Sequence, residues 1–357
     1  MRKNPRLHHA LIQWFDANKQ DLPWRRQRSP YLVWISEIML QQTQVATVIP
    51  YFERFAARFP DLPSLAAAPL EDVLKVWEGL GYYGRARNIH RTARIIMAEF
   101  GGQLPRDPDR LLSLPGIGQY TAGAIASFAF GLSAPVLDGN VTRILTRLVN
   151  ISKDITRPAT KRYLWKIATD MLPAENVARW NEGLMELGRR VCVPFKPHCD
   201  ECPLHTECVA FRRGLQSKRP VRSPRAKLPY HDVAAGVIRD RKGRILIAQR
   251  LPTGLLGGLW EFPGGKREVG ETLEHCLERE IKEELGIRVN VDEKIAAIRH
   301  TYTHFKITLH VFECQFAGGK PQPIGCAQFE WTTVDQLSNH AFPRTNRKII
   351  NMLQGIT

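Results

Sequence analysis

Four crowded thiols, two isolated carboxylates and a run of glutamates are the side chains of this 357-residue sequence best suited to chemistry. Cys192, Cys199, Cys202 and Cys208 are separated by six, two and five residues. Thiolates this close can hold a 4Fe-4S cluster or a single zinc, and ligand chemistry alone does not choose between them. Glu37 lies in Val33-Trp34-Ile35-Ser36-Glu37-Ile38-Met39-Leu40-Gln41-Gln42-Thr43, where Glu37, Gln41 and Gln44 recur at helical spacing as a polar stripe among bulky apolar side chains. A carboxyl in such surroundings has its ionised form disfavoured, so it can hold a proton near neutral pH and deliver it. Asp138, in Val136-Leu137-Asp138-Gly139-Asn140, precedes a helical pattern from Val141 and is suited to cap it, while Gly139 opens space beside it. Glu280, Glu283 and Glu284 share one helix face in Glu278-Arg279-Glu280-Ile281-Lys282-Glu283-Glu284. Such concentrated negative charge calls for a cation, and Mg²⁺ with a diphosphate is the apt partner.

The elements that must position these groups differ along the chain. Helical periodicity runs through Leu7 to Phe15, Val33 to Val45, Val73 to Leu80, Ala86 to Ile96 and Val141 to Val149. Leu114-Pro115-Gly116-Ile117-Gly118-Gln119-Tyr120-Thr121-Ala122 places a Gly-x-Gly turn before an apolar helix start. Gly116 and Gly118 would let the backbone approach a DNA phosphate closely, with amides at the helix N-terminus facing it. Strand-like runs follow only later, at Val233–Ile238, Ile245–Ala248, Ile295–Ile298 and Ile307–Phe312, with one strong helix at Thr272–Leu285. Between the two regimes, residues 217–230 carry five basic residues, three prolines and no acid, the composition of an extended linker. The expected division is therefore a helical domain over 1–216, a basic linker over 217–230 and an α+β domain over 231–357.

The formal charge is +16, which argues for a polyanionic partner. No apolar run approaches the ~18 residues of a membrane span, and the N-terminus lacks the apolar stretch of a secretory signal. A soluble, membrane-free, cytoplasmic protein is expected. With no interface stripe in the sequence, a monomer is expected too. In a reducing cytosol Cys276, Cys314 and Cys326 should be ordinary core residues.

The cysteine spacing is that of the endonuclease III-like DNA glycosylases, and a hairpin followed by an Asp resembles the helix-hairpin-helix glycosylase superfamily. Together with Trp34-x-Ser36-Glu37-x-Met39-Leu40-Gln41-Gln42-Thr43, Gly79 to Asn88 and Val136-Leu137-Asp138-Gly139-Asn140, these motifs resemble the adenine-specific mismatch glycosylases of the MutY type over most of residues 20–210. The resemblance implies an all-α glycosylase domain with a 4Fe-4S loop. It implies excision of adenine opposite 8-oxoguanine or guanine in double-stranded DNA. It makes Glu37 the general acid and Asp138 the carboxylate that stabilises an oxocarbenium-like sugar, with Tyr120 and Asn140 beside the sugar. Trp24, Arg25 and Glu182 match the adenine pocket, and Gln42 and Tyr82 match residues that enter the base stack. Bifunctional relatives carry Lys where this chain has Tyr120, and a phenol cannot form a Schiff base, so a monofunctional enzyme is expected.

Residues 231–357 hold a complete Nudix signature, from Gly265 through Glu271 and Arg279 to Ile287. With Gly264 and the surrounding Trp260 to Lys266, it resembles MutT. Arg250 and Asn346 align with positions that hold an oxidised purine, and Glu330 with a further metal-side carboxylate. Tyr302-Thr303-His304 stands where the family has Phe-Ser-His to read 8-oxoguanine. Two roles stay open for this domain: reading the lesion in DNA, or Mg²⁺-dependent hydrolysis of an oxidised nucleotide.

Overall fold

The computed structural model describes residues 4–224 and 227–356, and the chain divides into two compact units: Met1–Ala66 with Arg91–Arg225, and Ala67–His90 with Ala226–Thr357. Its helices, in chain order, are α1 (Pro5–Asn18), α2 (Pro23–Arg26), α3 (Pro30–Leu40), α4 (Val45–Arg58), α5 (Leu62–Ala67), α6 (Leu70–Trp77), α7 (Gly84–Glu99), α8 (Pro108–Leu112), α9 (Gln119–Ala124), α10 (Gly139–Leu148), α11 (Pro158–Asp170), α12 (Val177–Arg190), α13 (Val209–Arg212), α14 (Leu273–Leu285) and α15 (Arg344–Leu353). None of the described helices is long and apolar enough to cross a membrane.

The first unit is helical. Leu7 and Leu11 of α1, Val141, Ile144 and Leu145 of α10, and Trp180, Leu184 and Leu187 of α12 recur every third or fourth residue and fill one core. α3 is apolar nearly all round, and Tyr31 through Met39 are all buried. The single helix expected from Val33 to Val45 is two. α3 ends at Leu40, Gln42 adopts a left-handed φ of 58°, and Gln44 caps α4 instead of continuing the stripe. α8 and α9 enclose the expected hairpin. Its turn passes through Gly116 at φ 78°, a conformation that disfavours any side chain, and Gly118 caps α9. The linker is fastened as far as Ser223: Ile155 N–H donates to Val221 O at 3.1 Å, and Ser223 N–H to Asp154 Oδ2 at 3.1 Å.

The second unit is built on a mixed sheet. Its strands are β1 (Tyr230–Arg239), β2 (Ile245–Gln249), β3 (Trp260–Glu261), β4 (Arg288–Thr301), β5 (Lys306–Gly318) and β6 (Gln328–Thr332). The order is β3-β2-β1-β5-β4, with β6 also on β2; β1 and β5 run parallel from Tyr230↔Lys306 to Arg239↔Gln315, and the other pairs are antiparallel. Alternation along β1 makes two cores. Ala234 and Ile238 face Leu277, Ile281 and Leu285 of α14, with Cys276, Cys314 and Cys326 in the same layer. Ala235 and Val237 share the other core with Ile349 and Ile350 of α15. Residues 67–90 join this unit through polar bonds: Trp260 Nε1 donates to Glu71 Oε1 at 2.7 Å, Lys75 Nζ to His340 O at 2.8 Å, and Arg87 Nη1 to Gly257 O at 2.6 Å.

Candidate active site

A cavity of about 710 Å³ opens in the first unit, within the ordinary range for small-ligand sites. α3 supplies Glu37 to it, α9 supplies Tyr120, the start of α10 supplies Asp138 and Asn140, and α12 supplies Glu182, Met185 and Glu186; Trp24, Arg25 and Gln42 line it as well. Glu37 is 4% exposed, and its Oε2 accepts a hydrogen bond from Tyr120 OH at 2.6 Å. Burial pushes its carboxyl up to about 7 against the opposing bond from Tyr120, and the Asp138 and Glu182 charges push the same way. The Tyr120 phenol is itself held well above its ordinary value, chiefly by burial, so it stays a neutral donor.

Asp138 has both suggested uses at once. Its Oδ1 accepts from Val141 N–H at 2.7 Å as the N-cap of α10, and its Oδ2 accepts from Asn140 Nδ2 at 2.9 Å while it lines the cavity. Burial raises its carboxyl, and these hydrogen bonds restrain the rise. Asn140 is held in turn by Arg143, whose Nη2 donates to Asn140 Oδ1 at 2.8 Å and to Gly188 O at 2.7 Å. Gly188 is required here, because a Cβ on it would stand 2.5 Å from Asn140 Cβ. Gly188→Ala should displace Asn140 and slow turnover by up to about a hundredfold, despite the better helix propensity of Ala. Single-turnover kinetics would measure this, and a rate equal to the parent's would remove Asn140 from the working geometry.

At the far wall, Arg25 Nε reaches Glu182 Oε1 at 3.2 Å and its Nη1 reaches Glu186 Oε2 at 3.3 Å, while Arg28 Nη2 donates to Glu182 Oε2 at 2.9 Å. Trp24 is 7% exposed and packs edge-on against Phe52. Arg28, Glu186 and Arg143 were missed from the sequence. The available signal was two carboxylates four residues apart, interleaved with Trp180, Leu184 and Leu187 at helical spacing, and a basic run after Trp24.

The four cysteines line a separate small cavity of about 30 Å³ together with Arg147. Arg147 Nη1 donates to Cys192 Sγ at 3.2 Å. Burial, with the neighbouring cysteines adding to it, pushes Cys202 up to about 12 and raises Cys199 and Cys208. Four thiols around one small cavity are donors of the type that an iron–sulfur cluster or a zinc ion takes, and each would give up its proton on binding. Among the described residues, however, no three His, Cys, Asp or Glu side chains converge as ligands of one metal ion.

In the second unit a cavity of about 430 Å³ is lined by Arg250, Glu261, Gly264, Glu280, Glu284, Tyr302 and Asn346. Arg250 Nη1 donates to Glu261 Oε2 at 2.5 Å, and Asn346 Oδ1 accepts from Phe262 N–H at 2.9 Å. Glu284 is pushed up to about 8 by burial and by Glu261 and Glu280, and its Oε2 is buried without a hydrogen-bond partner. Two of the expected carboxylates stand elsewhere. Glu283 faces Arg279, and Glu330 lies 3.5 Å from His340 Nε2. Thr303 and His304 are exposed at the β4–β5 turn, where Thr303 Oγ1 donates to Tyr82 OH at 3.1 Å. Tyr82 has a left-handed φ of 51°.

A family model described as HhH-GPD superfamily base excision DNA repair protein matches residues 35–169, and one described as NUDIX domain matches residues 234–352. The adenine DNA glycosylase of Homo sapiens is 34% identical over 401 residues, covering 97% of this chain and 73% of that protein. The adenine DNA glycosylase of Buchnera aphidicola subsp. Acyrthosiphon pisum (strain APS) is 36% identical, covering 84% of this chain and 83% of that one. Among solved structures, a thermostable thymine-DNA glycosylase superposes with a TM-score of 0.54 at 26% identity, over 60% of this chain and 100% of that one. Endonuclease III from a non-covalent DNA complex superposes with a TM-score of 0.50 at 25% identity, over 58% of this chain and 95% of that one. With both signatures in this order, and with relatives aligned along nearly its whole length, the chain belongs to the adenine DNA glycosylases, base excision repair enzymes built here from a helix-hairpin-helix domain and a Nudix domain.

Proposed function

We propose that the protein excises adenine mispaired with 8-oxoguanine or guanine in double-stranded DNA, with Glu37 as general acid and Asp138 as the carboxylate facing the sugar. The observation that carries this reading is the pairing within one cavity of a carboxyl held near 7 and a second carboxyl anchored by two hydrogen bonds. Because Tyr120 OH occupies Glu37 Oε2, the proton resides on Oε1 and is delivered to the extruded base. Protonation makes adenine a better leaving group. Asp138 then meets the positive charge that develops on the sugar, two carboxylates in two roles as glycosidic cleavage requires. Asn140 fixes the Asp138 carboxylate, and Trp24, Arg25 and Glu182 form the wall against the base.

Glycosylase chemistry is assigned to residues 1–216 and lesion reading to 231–357, through Thr303 and His304, with 217–230 between them. Gln42 and Tyr82 enter the stack, and Gly116 and Gly118 approach the backbone. Cys192, Cys199, Cys202 and Cys208 would hold a 4Fe-4S cluster that pins the loop without entering the reaction. A cytoplasmic monomer is proposed.

The test is single-turnover cleavage of duplexes containing each mispair, followed by alkali. Base loss without spontaneous strand scission is expected, since Tyr120 offers no amine. Efficient borohydride trapping at the excision rate would contradict the monofunctional assignment. Binding should weaken steeply with salt as phosphate contacts release counterions, and a flat response would contradict the polyanionic partner drawn from the net charge.

A second reading rests on Glu284 Oε2, a buried orphan oxygen among Glu261 and Glu280 that a cation would satisfy. Glu280 and Glu284 would hold Mg²⁺, which neutralises phosphate charge when bound. Pyrophosphate release from 8-oxo-dGTP by the full chain, lost in Glu284→Gln, would support it. Equal release by both proteins would end it.

A further inference from the structure

α3 and α9 are stitched together by two side-chain bonds one helical turn apart. Glu37 and Gln41 stand four residues apart on or at the end of α3; Tyr120 and Thr121 are consecutive in the first turn of α9. Tyr120 OH donates to Glu37 Oε2 at 2.6 Å, and Gln41 Nε2 donates to Thr121 Oγ1 at 3.1 Å. Thr121 is 2% exposed, so the second bond has a fixed anchor. Beyond Gln41 the chain turns sharply. Gln41 has left the helix at ψ 114°, Gln42 is left-handed, Thr43 N–H returns to Leu40 O at 3.3 Å, and Thr43 Oγ1 donates to Gln41 O at 3.3 Å. No glycine, asparagine or proline in Gln41-Gln42-Thr43-Gln44 favours such a turn, so long-range contacts must hold it. Exposed Gln42 lies at its apex on the cavity lining.

We propose that Gln41 is a positioning residue, whose bond to Thr121 locks the 41–44 turn to the helix that carries Tyr120. Seating of the turn in the duplex and alignment of Glu37 over the extruded base then become one rigid arrangement. Sequence alone placed Gln41 on a polar stripe without a partner. The structure supplies that partner 80 residues away. The inference rests on the roles proposed above for Gln42 and Glu37.

The test uses the full chain with Gln41→Ala, Gln41→Met, Thr121→Val and Thr121→Ser. Two quantities are followed on a mispaired duplex. One is single-turnover excision; the other is the fluorescence rise of a 2-aminopurine next to the target adenine, which reports unstacking. Gln41→Ala, Gln41→Met and Thr121→Val should each excise about tenfold more slowly, roughly the worth of one hydrogen bond, with a smaller fluorescence rise. Thr121→Ser keeps the hydroxyl and should stay within about twofold of the parent. Gln41→Ala combined with Thr121→Val should be no slower than either alone, because both remove the same bond. The midpoint of the pH–rate profile should not move, since the Tyr120–Glu37 bond is untouched. Parent-like unstacking and excision in Gln41→Met, additive losses in the double variant, or a moved midpoint would each overturn the proposal. Gln41→Met leaves buried Thr121 unaltered, so the test survives a misfolded Thr121→Val. Glu37→Gln separates the two levels: it should stop excision while keeping the fluorescence rise. If it excised normally, the acid assignment would fall and the unstacking result would still decide the role of Gln41.

Discussion

Replacing Glu37 with Gln should lower the single-turnover excision rate by about 10²–10⁴, the usual worth of a positioned general acid. Gln keeps an oxygen for the Tyr120 bond but has no proton to donate at neutral pH. The parent should also show a bell-shaped pH dependence. Above about 7 the acid is ionised, and the rate should fall about tenfold per pH unit. On the acid side the rate should fall as Asp138 protonates, at a pH above the ordinary aspartate range because burial raises it. The two groups face one cavity and feel each other's charge, so the limbs belong to the pair. Stability should also fall as pH rises through this range. A carboxyl raised from 4.5 to about 7 gives stability that is fully present below pH 4.5 and lost as pH rises through 7. The total is about 3 kcal/mol. Glu37→Gln has no such loss, so its advantage over the parent in thermal unfolding should grow between pH 4.5 and 7 and then level off. A variant that excises at the parent's rate, or that is no more stable at pH 8, would mean that this carboxyl is neither the acid nor a buried ionisable burden.

Arg147→Met should be the most damaging substitution for the cysteine loop. Arg147 is 2% exposed, and its guanidinium serves an unusual number of backbone acceptors. Nε donates to Gln216 O at 2.9 Å, Nη1 to Val193 O at 2.8 Å and Cys192 Sγ at 3.2 Å, and Nη2 to Pro194 O at 3.0 Å. Met fills similar volume and leaves those carbonyls without donors, each a desolvated acceptor. A loss of about 4 kcal/mol is expected, or a Tm lower by roughly 10 °C for a unit of this size. Lys restores the charge but cannot fork to three directions, so Arg147→Lys should recover only part. Thermal unfolding would measure both, and a Tm for Arg147→Met within about 1 °C of the parent would show that water replaces the guanidinium at no cost.

Local chemistry made much of the fold legible in advance. The apolar spacing in Leu7 to Phe15 and Val141 to Val149 lies within α1 and along α10, and the helix expected over Thr272–Leu285 is α14, with Thr272 as its N-cap. The strand-like runs Val233–Ile238 and Ile307–Phe312 fall on β1 and β5. The exception, the break between α3 and α4, is instructive. Val33 to Val45 is periodic enough for one helix, but Gln42 takes a left-handed conformation that nothing in its own side chain calls for. The gathering of Ala67–His90 with the C-terminal sheet was equally hidden, because it depends on bonds such as Trp260 to Glu71 between residues 189 positions apart.

Residue types and short spacings, which depend on neighbours a turn or two away, were enough to pick out an apolar-flanked Glu37, a helix-capping Asp138, four thiols in one loop and a complete Nudix signature. What only the tertiary structure decided is which of these share a space: Glu37 and Asp138 line one cavity, while Glu283 and Glu330 stand apart from the cavity of Glu280 and Glu284. The sequence already marked Glu37 as a carboxyl whose ionised form is disfavoured, and the structure adds which neighbours set the size of that shift. Desolvation and the field of Asp138 act through space, and no pattern along the chain encodes the distance over which they act.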